Sequence, residues 1–287
     1  MKLPAAVAGE IEDLLQEPIE RVSAVAGGCI HSAMRANTRR ASYFVKHGDL
    51  SAGAMFEAEA LALDEIAATR TVRAPAVIGR GPRWLLLEWL EPGSPGRAAW
   101  RSFGADLAHL HRVRKDCCGW SQANFIGSLP QRNDWSESWP QFWQQRRLQP
   151  QLDLARQRGL LGRNDEQGFE ELYAELPARL TIAEKEGASL LHGDLWSGNA
   201  HGCATEIAAV DPSAYYGHRE VDLAMAALFG GFPPSFWEGY SDTWAVESDG
   251  FEQRRAIYQL YYLLVHVNLF GAGYVAGTRE ALRSARS

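Results

Sequence analysis

Near the end of the first third of this chain stands Glu91-Pro92-Gly93-Ser94-Pro95-Gly96, its densest run of helix and strand breakers, and the sequence has a different periodicity on each side of it. Before the break, short strand-like runs dominate. Arg21–Val25, Ser32–Asn37 and Ala41–Lys46 read as strands, Gly27-Gly28 as the turn between the first two, and Trp84–Trp89 as a further, strongly apolar strand. Residues 5–17 read as a short helix stopped before Pro18. Residues 51–68 read as the main helix of this part, with Met55, Leu63 and Ile66 on or near one face. After the break the pattern turns helical. Trp100–Val113, Phe142–Leu161 and Phe169–Lys185 read as helices, residues 117–140 as a long ordered loop, and Ile207–Val210 as a short strand before further helices. The expectation is an α+β chain of two lobes. Residues 1–90 form a small lobe of antiparallel sheet with one main helix, and residues 91–287 a large, mostly helical lobe. A chain of 287 residues suits two lobes sharing a cleft better than one compact core.

The overall balance excludes some classes. A formal net charge of −6 argues against a nucleic-acid partner, although a nucleotide site can still hold a few local cations. Cys29, Cys117, Cys118 and Cys203 form neither a C-x-x-C pair nor a zinc-like pattern, which points to a reducing compartment, the cytoplasm. The apolar start is too short for a signal peptide, and Glu10, Glu12 and Asp13 follow it. Tyr258–Gly277 carries no formal charge and is about long enough to span a bilayer. Gln259, His266, Asn268 and three glycines within it favour a buried helix, so no membrane partner is expected.

The chemistry concentrates in His192-Gly193-Asp194-Leu195-Trp196-Ser197-Gly198-Asn199. Asp194 and Asn199 have the D-x-x-x-x-N spacing of a kinase catalytic loop. Phosphoryl transfer needs a carboxylate to take the proton of the attacking hydroxyl and an amide oxygen to hold magnesium. A second carboxylate must hold metal against the phosphates, and Asp211, after the strand Ile207–Val210, is placed for that. His192 is expected to brace the loop, not to act as a base. Lys46 ends its strand, where a lysine reaches nucleotide phosphates. Glu57 and Glu59 are its candidate partners, and Glu59 has the better Glu-Ala-x-x-Leu setting. Alone, Lys46 would read as a solvated strand end. Gly27-Gly28 can cover phosphates with backbone N–H groups, although a plain hairpin turn explains them nearly as well. The backbone of Glu88-Trp89-Leu90 is expected to face the adenine edge. An exposed indole inside a catalytic loop is costly unless used, so Trp196 is a candidate platform for a sugar face or a cation. His266 is a candidate ligand contact or a satisfied core histidine. Arg146-Arg147 reads as a solvated helix face.

The string from His192 to Asn199 resembles the signature of the fructosamine kinase (ketosamine-3-kinase) family. Asp211-Pro212, Tyr215–Met225, Leu228–Phe232 and Tyr258–Leu264 are similar to the family's later blocks. Gly27–Ile30, Met55-Phe56-Glu57-x-Glu59-Ala60 and Asn124-x-Ile126-Gly127 are similar to its earlier ones. The resemblance covers nearly the whole chain. It implies a protein-kinase-like fold related to aminoglycoside phosphotransferases. It also implies transfer of phosphate from ATP, with Mg2+, to the 3-hydroxyl of ketosamines such as ribulosamine or fructosamine adducts of amines and protein lysines. The phosphorylated adduct then falls apart, which amounts to deglycation. Carried over, Asp194 is the base, Asn199 and Asp211 hold metal, Trp196 faces the sugar, Lys46 with Glu59 positions phosphate, and Glu88 to Leu90 line the adenine pocket. Tyr262 stands where many members carry His, and Val265 where Asn is common, both near the expected substrate wall. Cys29, in the glycine turn, would obstruct ATP entry if oxidised or cross-linked. The rival readings are a kinase of another hydroxylated amine, aminoglycoside- or choline-like, and a non-catalytic nucleotide-binding module.

Overall fold

The structure, a computed structural model, describes residues 3–25 and 32–287. Gly27, Gly28 and Cys29 lie outside the described residues. Helix α1 (Ala5–Leu15) precedes β1 (Arg21–Ala24), β2 (Ser32–Asn37) and β3 (Ser42–His47). Helix α2 (Gly53–Thr69), β4 (Val77–Gly81) and β5 (Trp84–Glu88) follow. The strands form one antiparallel sheet in the order β1-β2-β3-β5-β4.

The sheet's two-residue side-chain period decides where its chemistry goes. Met34, Val45 and Leu86 point to one face, where they pack with Val7 and Ile11 of α1. Leu85 and Leu87 point to the other, against Phe56, Ala60, Leu63 and Ile66 of α2. Lys46 is the Cα partner of Leu85, so it shares the α2 face. A cation is thereby sent under the helix that carries Glu59.

Past the break come α3 (Arg97–His111), β6 (Arg114–Lys115), and the hairpin β7 (Asn124–Ile126) and β8 (Leu129–Gln131). Next are α4 (Trp139–Phe142), a π-helical stretch Trp143–Leu148, α5 (Gln149–Gln157), α6 (Arg163–Arg179) and α7 (Thr181–Glu186). The site segment is framed by β9 (Ala188–Leu191), β10 (Ala200–Gly202), β11 (Ile207–Ala209) and β12 (Tyr215–Gly217). Helices α8 (Glu220–Leu228), α9 (Pro234–Thr243), α10 (Phe251–Phe270) and α11 (Val275–Arg286) complete the chain. The result is an α+β fold, an N-terminal antiparallel sheet followed by a helical C-terminal part. Helices α3 and α9 touch backbone to backbone: a Cβ on Gly104 would collide with the Phe236 carbonyl, and one on Gly239 with the Arg101 carbonyl.

Several local expectations change. The long loop contains the β7–β8 hairpin, and β4 was not foreseen. Residues 169–185 divide between two helices that meet at Leu180. Arg147 is not on a solvated face. It is fully buried in the π-helical stretch, its guanidinium 3.9 Å from the Tyr215 ring centroid and 4.6 Å from that of Phe142. It donates to Arg132 O at 2.7 Å and Asn133 Oδ1 at 2.6 Å, and no carboxylate pairs with it among the described residues. A π turn shifts the phase of the residues after it, which turns Arg147 inward, and π faces and carbonyl dipoles take the place of a counter-ion. The uncharged segment Tyr258–Gly277 is divided: Tyr258–Phe270 is the largely buried part of α10, and a glycine break, a short 3-10 turn (Ala272–Tyr274) and the start of α11 follow. No helix among the described residues is long and apolar enough to cross a membrane.

Candidate active site

Lys46 Nζ lies 2.7 and 2.8 Å from the two Glu59 carboxylate oxygens and 2.6 Å from Asp211 Oδ1. Glu57 turns away and pairs with Arg80. Burial pushes the Lys46 pKa down, but the charges of Asp211 and Glu59 outweigh it, so the ammonium is held above its ordinary range. Burial, opposed by Lys46 and reinforced by Asp211, raises the Glu59 pKa. One cation between two carboxylates leaves this cluster net negative.

The segment after β9 carries the other groups. Pairing of β9 with β12 places Leu191 opposite Tyr215, and Ser213 N–H donates to His192 O at 2.9 Å. Gly193 has φ of 82°, and a Cβ there would collide with the Ser213 carbonyl, so only glycine makes this corner. His192 is buried. Its Nε2 donates to Val210 O at 2.9 Å and its Nδ1 accepts from Asp194 N–H at 3.3 Å, a neutral ring bracing the loop. Asn199 Nδ2 donates to Asp194 O at 2.8 Å and to Asp194 Oδ2 at 3.3 Å. Asn199 O accepts from Val210 N–H at 3.0 Å, which brings Asn199 beside Asp211. Burial, then the charges of Asp211 and Asp222, push the Asp194 carboxyl up to about 7, with Asn199 opposing. Asp211 itself has φ of 55°, a left-handed backbone rare for a side-chain-bearing residue and concentrated at functional sites.

A divalent oxygen-seeking cation fits this donor set. Asn199 commits its amide nitrogen to Asp194, and Asp211 commits one oxygen to Lys46, which leaves Asn199 Oδ1 and Asp211 Oδ2 without hydrogen-bond partners among the described residues. Both are hard oxygen donors, in a locality with excess negative charge.

Reading the sequence missed Asp222. On α8 it accepts from His192 N–H at 2.7 Å and Gly193 N–H at 2.8 Å, and it meets His111 Nε2 at 3.1 Å. The available signal was an acid inside the apolar run Val221-Asp222-Leu223-Ala224. Tyr216 was missed too: its hydroxyl donates to Glu65 of α2 at 2.9 Å, tying the Glu59 helix to β12.

Trp196 is half-buried, its ring folded over Gly198 and its inner face packed on the core. The Glu88 side chain turns to Arg73 at 2.5 Å and to Ala76 N–H at 3.1 Å. Trp89 lies under the Arg35 guanidinium, 4.4 Å from the ring centroid, and its indole donates to Glu91 at 2.7 Å. Leu90 O accepts from His201 Nε2 at 3.2 Å, joining this segment to β10. Tyr262 and Val265 are buried, and the Tyr262 hydroxyl donates to Gly193 O at 2.7 Å, beneath the loop. His266, one turn further along α10, is half-buried among aromatic rings.

The sequence profile of the fructosamine kinase family matches residues 4–286. The chain belongs to the fructosamine kinase family. As a member it is a kinase, a phosphotransferase with an alcohol group as acceptor. It is 38% identical to a probable ketoamine kinase of Synechocystis sp., over 96% of this chain and 95% of that one. It is 37% identical to a chloroplastic protein-ribulosamine 3-kinase of Arabidopsis thaliana, over 89% of this chain and 79% of that one. Among solved structures, a putative fructosamine-3-kinase of Thermobifida fusca superposes with a TM-score of 0.90 at 32% identity, covering 98% of each chain. An ADP-bound aminoglycoside phosphotransferase superposes with a TM-score of 0.67 at 13% identity, covering 99% of this chain and 98% of that one, a likeness of fold alone.

Proposed function

We propose that this member of the family transfers the γ-phosphoryl group of ATP to the 3-hydroxyl of a ketosamine, a ribulosamine or fructosamine adduct of an amine or a protein lysine. The observation that carries the reading is the convergence of Lys46, Glu59 and Asp211 with Asp194 and Asn199 around one net-negative locality. Asp194 takes the proton of the acceptor hydroxyl as its oxygen bonds to the γ-phosphorus and the bond to the β–γ bridging oxygen breaks, releasing ADP. Lys46, oriented by Glu59, steadies the phosphates. Asn199 Oδ1 and Asp211 Oδ2 would hold magnesium, which would supply positive charge to offset that of the phosphates. Trp196 offers a flat apolar face to the sugar, and the backbone of Glu88, Trp89 and Leu90 borders the adenine, with residues 1–90 and 91–287 as the two lobes around it. A phosphate beside the ketone is a good leaving group, so the product decomposes and frees the amine.

The test is ATP consumption over ribulosamines, fructosamines, aminoglycosides and choline, with the phosphorylated position read by phosphorus NMR. Phosphate at carbon 3 of a ketosamine, followed by amine release, is expected. Turnover confined to aminoglycosides or choline overturns the reading.

A further inference from the structure

Phe229, His266, Phe270 and Tyr274 form an aromatic quartet that the phosphoryl-transfer groups do not use. The His266 ring centroid lies 4.8 Å from that of Phe229, 5.4 Å from Phe270 and 4.9 Å from Tyr274. Phe229 is 43% exposed and Phe270 60%, unusual for large apolar rings unless a surface is used.

Two contacts set the quartet beside the loop that holds Asp194. Tyr262, one turn before His266, bonds to Gly193 O. Gly231, two residues past Phe229, packs so closely on Ser197 that a Cβ would collide with that side chain. Gly193 and Ser197 bracket Asp194 and Trp196, so helix α10 and the segment after α8 flank the loop where the sugar is handled.

The chemistry of the quartet is selective. His266 Nδ1 lies 2.7 Å from Tyr262 O, and a carbonyl only accepts, so Nδ1 carries the proton. Burial lowers the His266 pKa, so the ring is neutral and Nε2 presents a lone pair. No donor meets Nε2 among the described residues. One acceptor among π faces suits a cation on an alkyl stem and repels an anion.

We propose that Phe229, His266, Phe270 and Tyr274 hold the amine end of the ketosamine, with the protonated secondary nitrogen at His266 Nε2 and the first methylenes of the carrier along Phe270 and Tyr274. The proposal rests on the reading of the acceptor as a ketosamine. In that molecule the nitrogen is one carbon from the ketone, so it must leave the site close to the hydroxyl that faces Asp194. The exposed Phe270 rim leaves room for a carrier as large as a protein lysine.

The experiment compares kcat/KM of the full chain for two ketosamines of the same sugar, one a free 1-amino-1-deoxyketose and one linked to the ε-nitrogen of an α-blocked lysine. Phe270→Ala and Tyr274→Ala are each expected to lower the ratio of lysine-linked to free kcat/KM about tenfold, the worth of about two buried carrier methylenes, since both substrates carry the ammonium and only one carries the stem. Tyr274→Phe, which keeps the ring, is expected to restore it. An unchanged ratio in both alanine variants overturns the proposal, as does a Tyr274→Phe ratio as low as that of the alanine variant. A Phe270→Ala chain that changes only from dimer to monomer in sedimentation assigns the patch to a second copy and also overturns it. The wild-type rates are read first: no turnover of either ketosamine overturns the parent reading and this one together, whereas turnover with an unmoved ratio overturns this one alone.

Discussion

Asp194 is part-buried beside two other carboxylates, a setting that suits the base of the proposed reaction. Asp194→Asn keeps the shape and an acceptor for Asn199 Nδ2 but cannot take a proton. Turnover is expected to fall by about 10²–10⁴-fold, the usual worth of a positioned base, while ATP still binds by calorimetry. Wild-type rates in that variant would remove Asp194 from the mechanism. The clustering of Asp194 with Asn199 and of Lys46 with Asp211 was legible in the sequence because it follows from residue type at short spacing or at the end of an apolar strand. Asp222 was not, because it acts on the backbone N–H groups of a loop some thirty residues away, and no local pattern states that contact. Glu59 could be preferred over Glu57 from its setting, but the choice was made by the face of α2 on which each stands: Glu57 turns out to Arg80, and Glu59 meets Lys46.

At the scale of elements, α2 must present Glu59 at a fixed height above the sheet. Its lower end is held by the hydrogen bond from Tyr216 on β12 to Glu65. Tyr216→Phe removes that bond and keeps the ring. Urea unfolding is expected to show a loss of about 0.5–1.5 kcal/mol, the net worth of one such bond. A loss below this range would mean that packing alone holds the helix. The strands β1, β2, β3 and β5 were readable from alternation and breakers. Strand β4 was not, since Gly79 and Gly81 weaken its pattern and pairing with β5 supplies what local preference lacks. The π-helical stretch was equally hidden. Its Arg147 has the sequence context of a surface residue, and the rings of Tyr215 and Phe142 together with the oxygens of Arg132 and Asn133 make burial tolerable.

Across the whole molecule, the helical part is closed by buried ion pairs that tie distant segments. Glu186, at the end of α7, receives Arg219 Nε at 2.8 Å and His218 Nε2 at 3.1 Å, and Arg219 reaches on to Ala245 O at 2.9 Å. Burial alone would raise the Glu186 pKa, but the hydrogen bonds and charges of Arg219 and His218 pull it down to about 2. Because the folded value is depressed, the stability this group supplies is fully present above its unfolded value near 4.5 and is lost as pH falls toward 2. Unfolding free energy measured between pH 6 and pH 3 is therefore expected to fall more steeply for the wild type than for Glu186→Gln. Parallel curves would show that Glu186 does not carry the acid limb.

The left-handed backbone at Asp211 also restricts which residues can occupy that position as sequences diverge. Conformation alone admits glycine, asparagine and aspartate there, and other residues cost about 1–2 kcal/mol. Of those three, only aspartate carries the charge. A descendant released from selection for catalysis but not for folding would therefore drift first to Asn or Gly at this position. Such a residue would mark lost activity in a chain that otherwise looks intact.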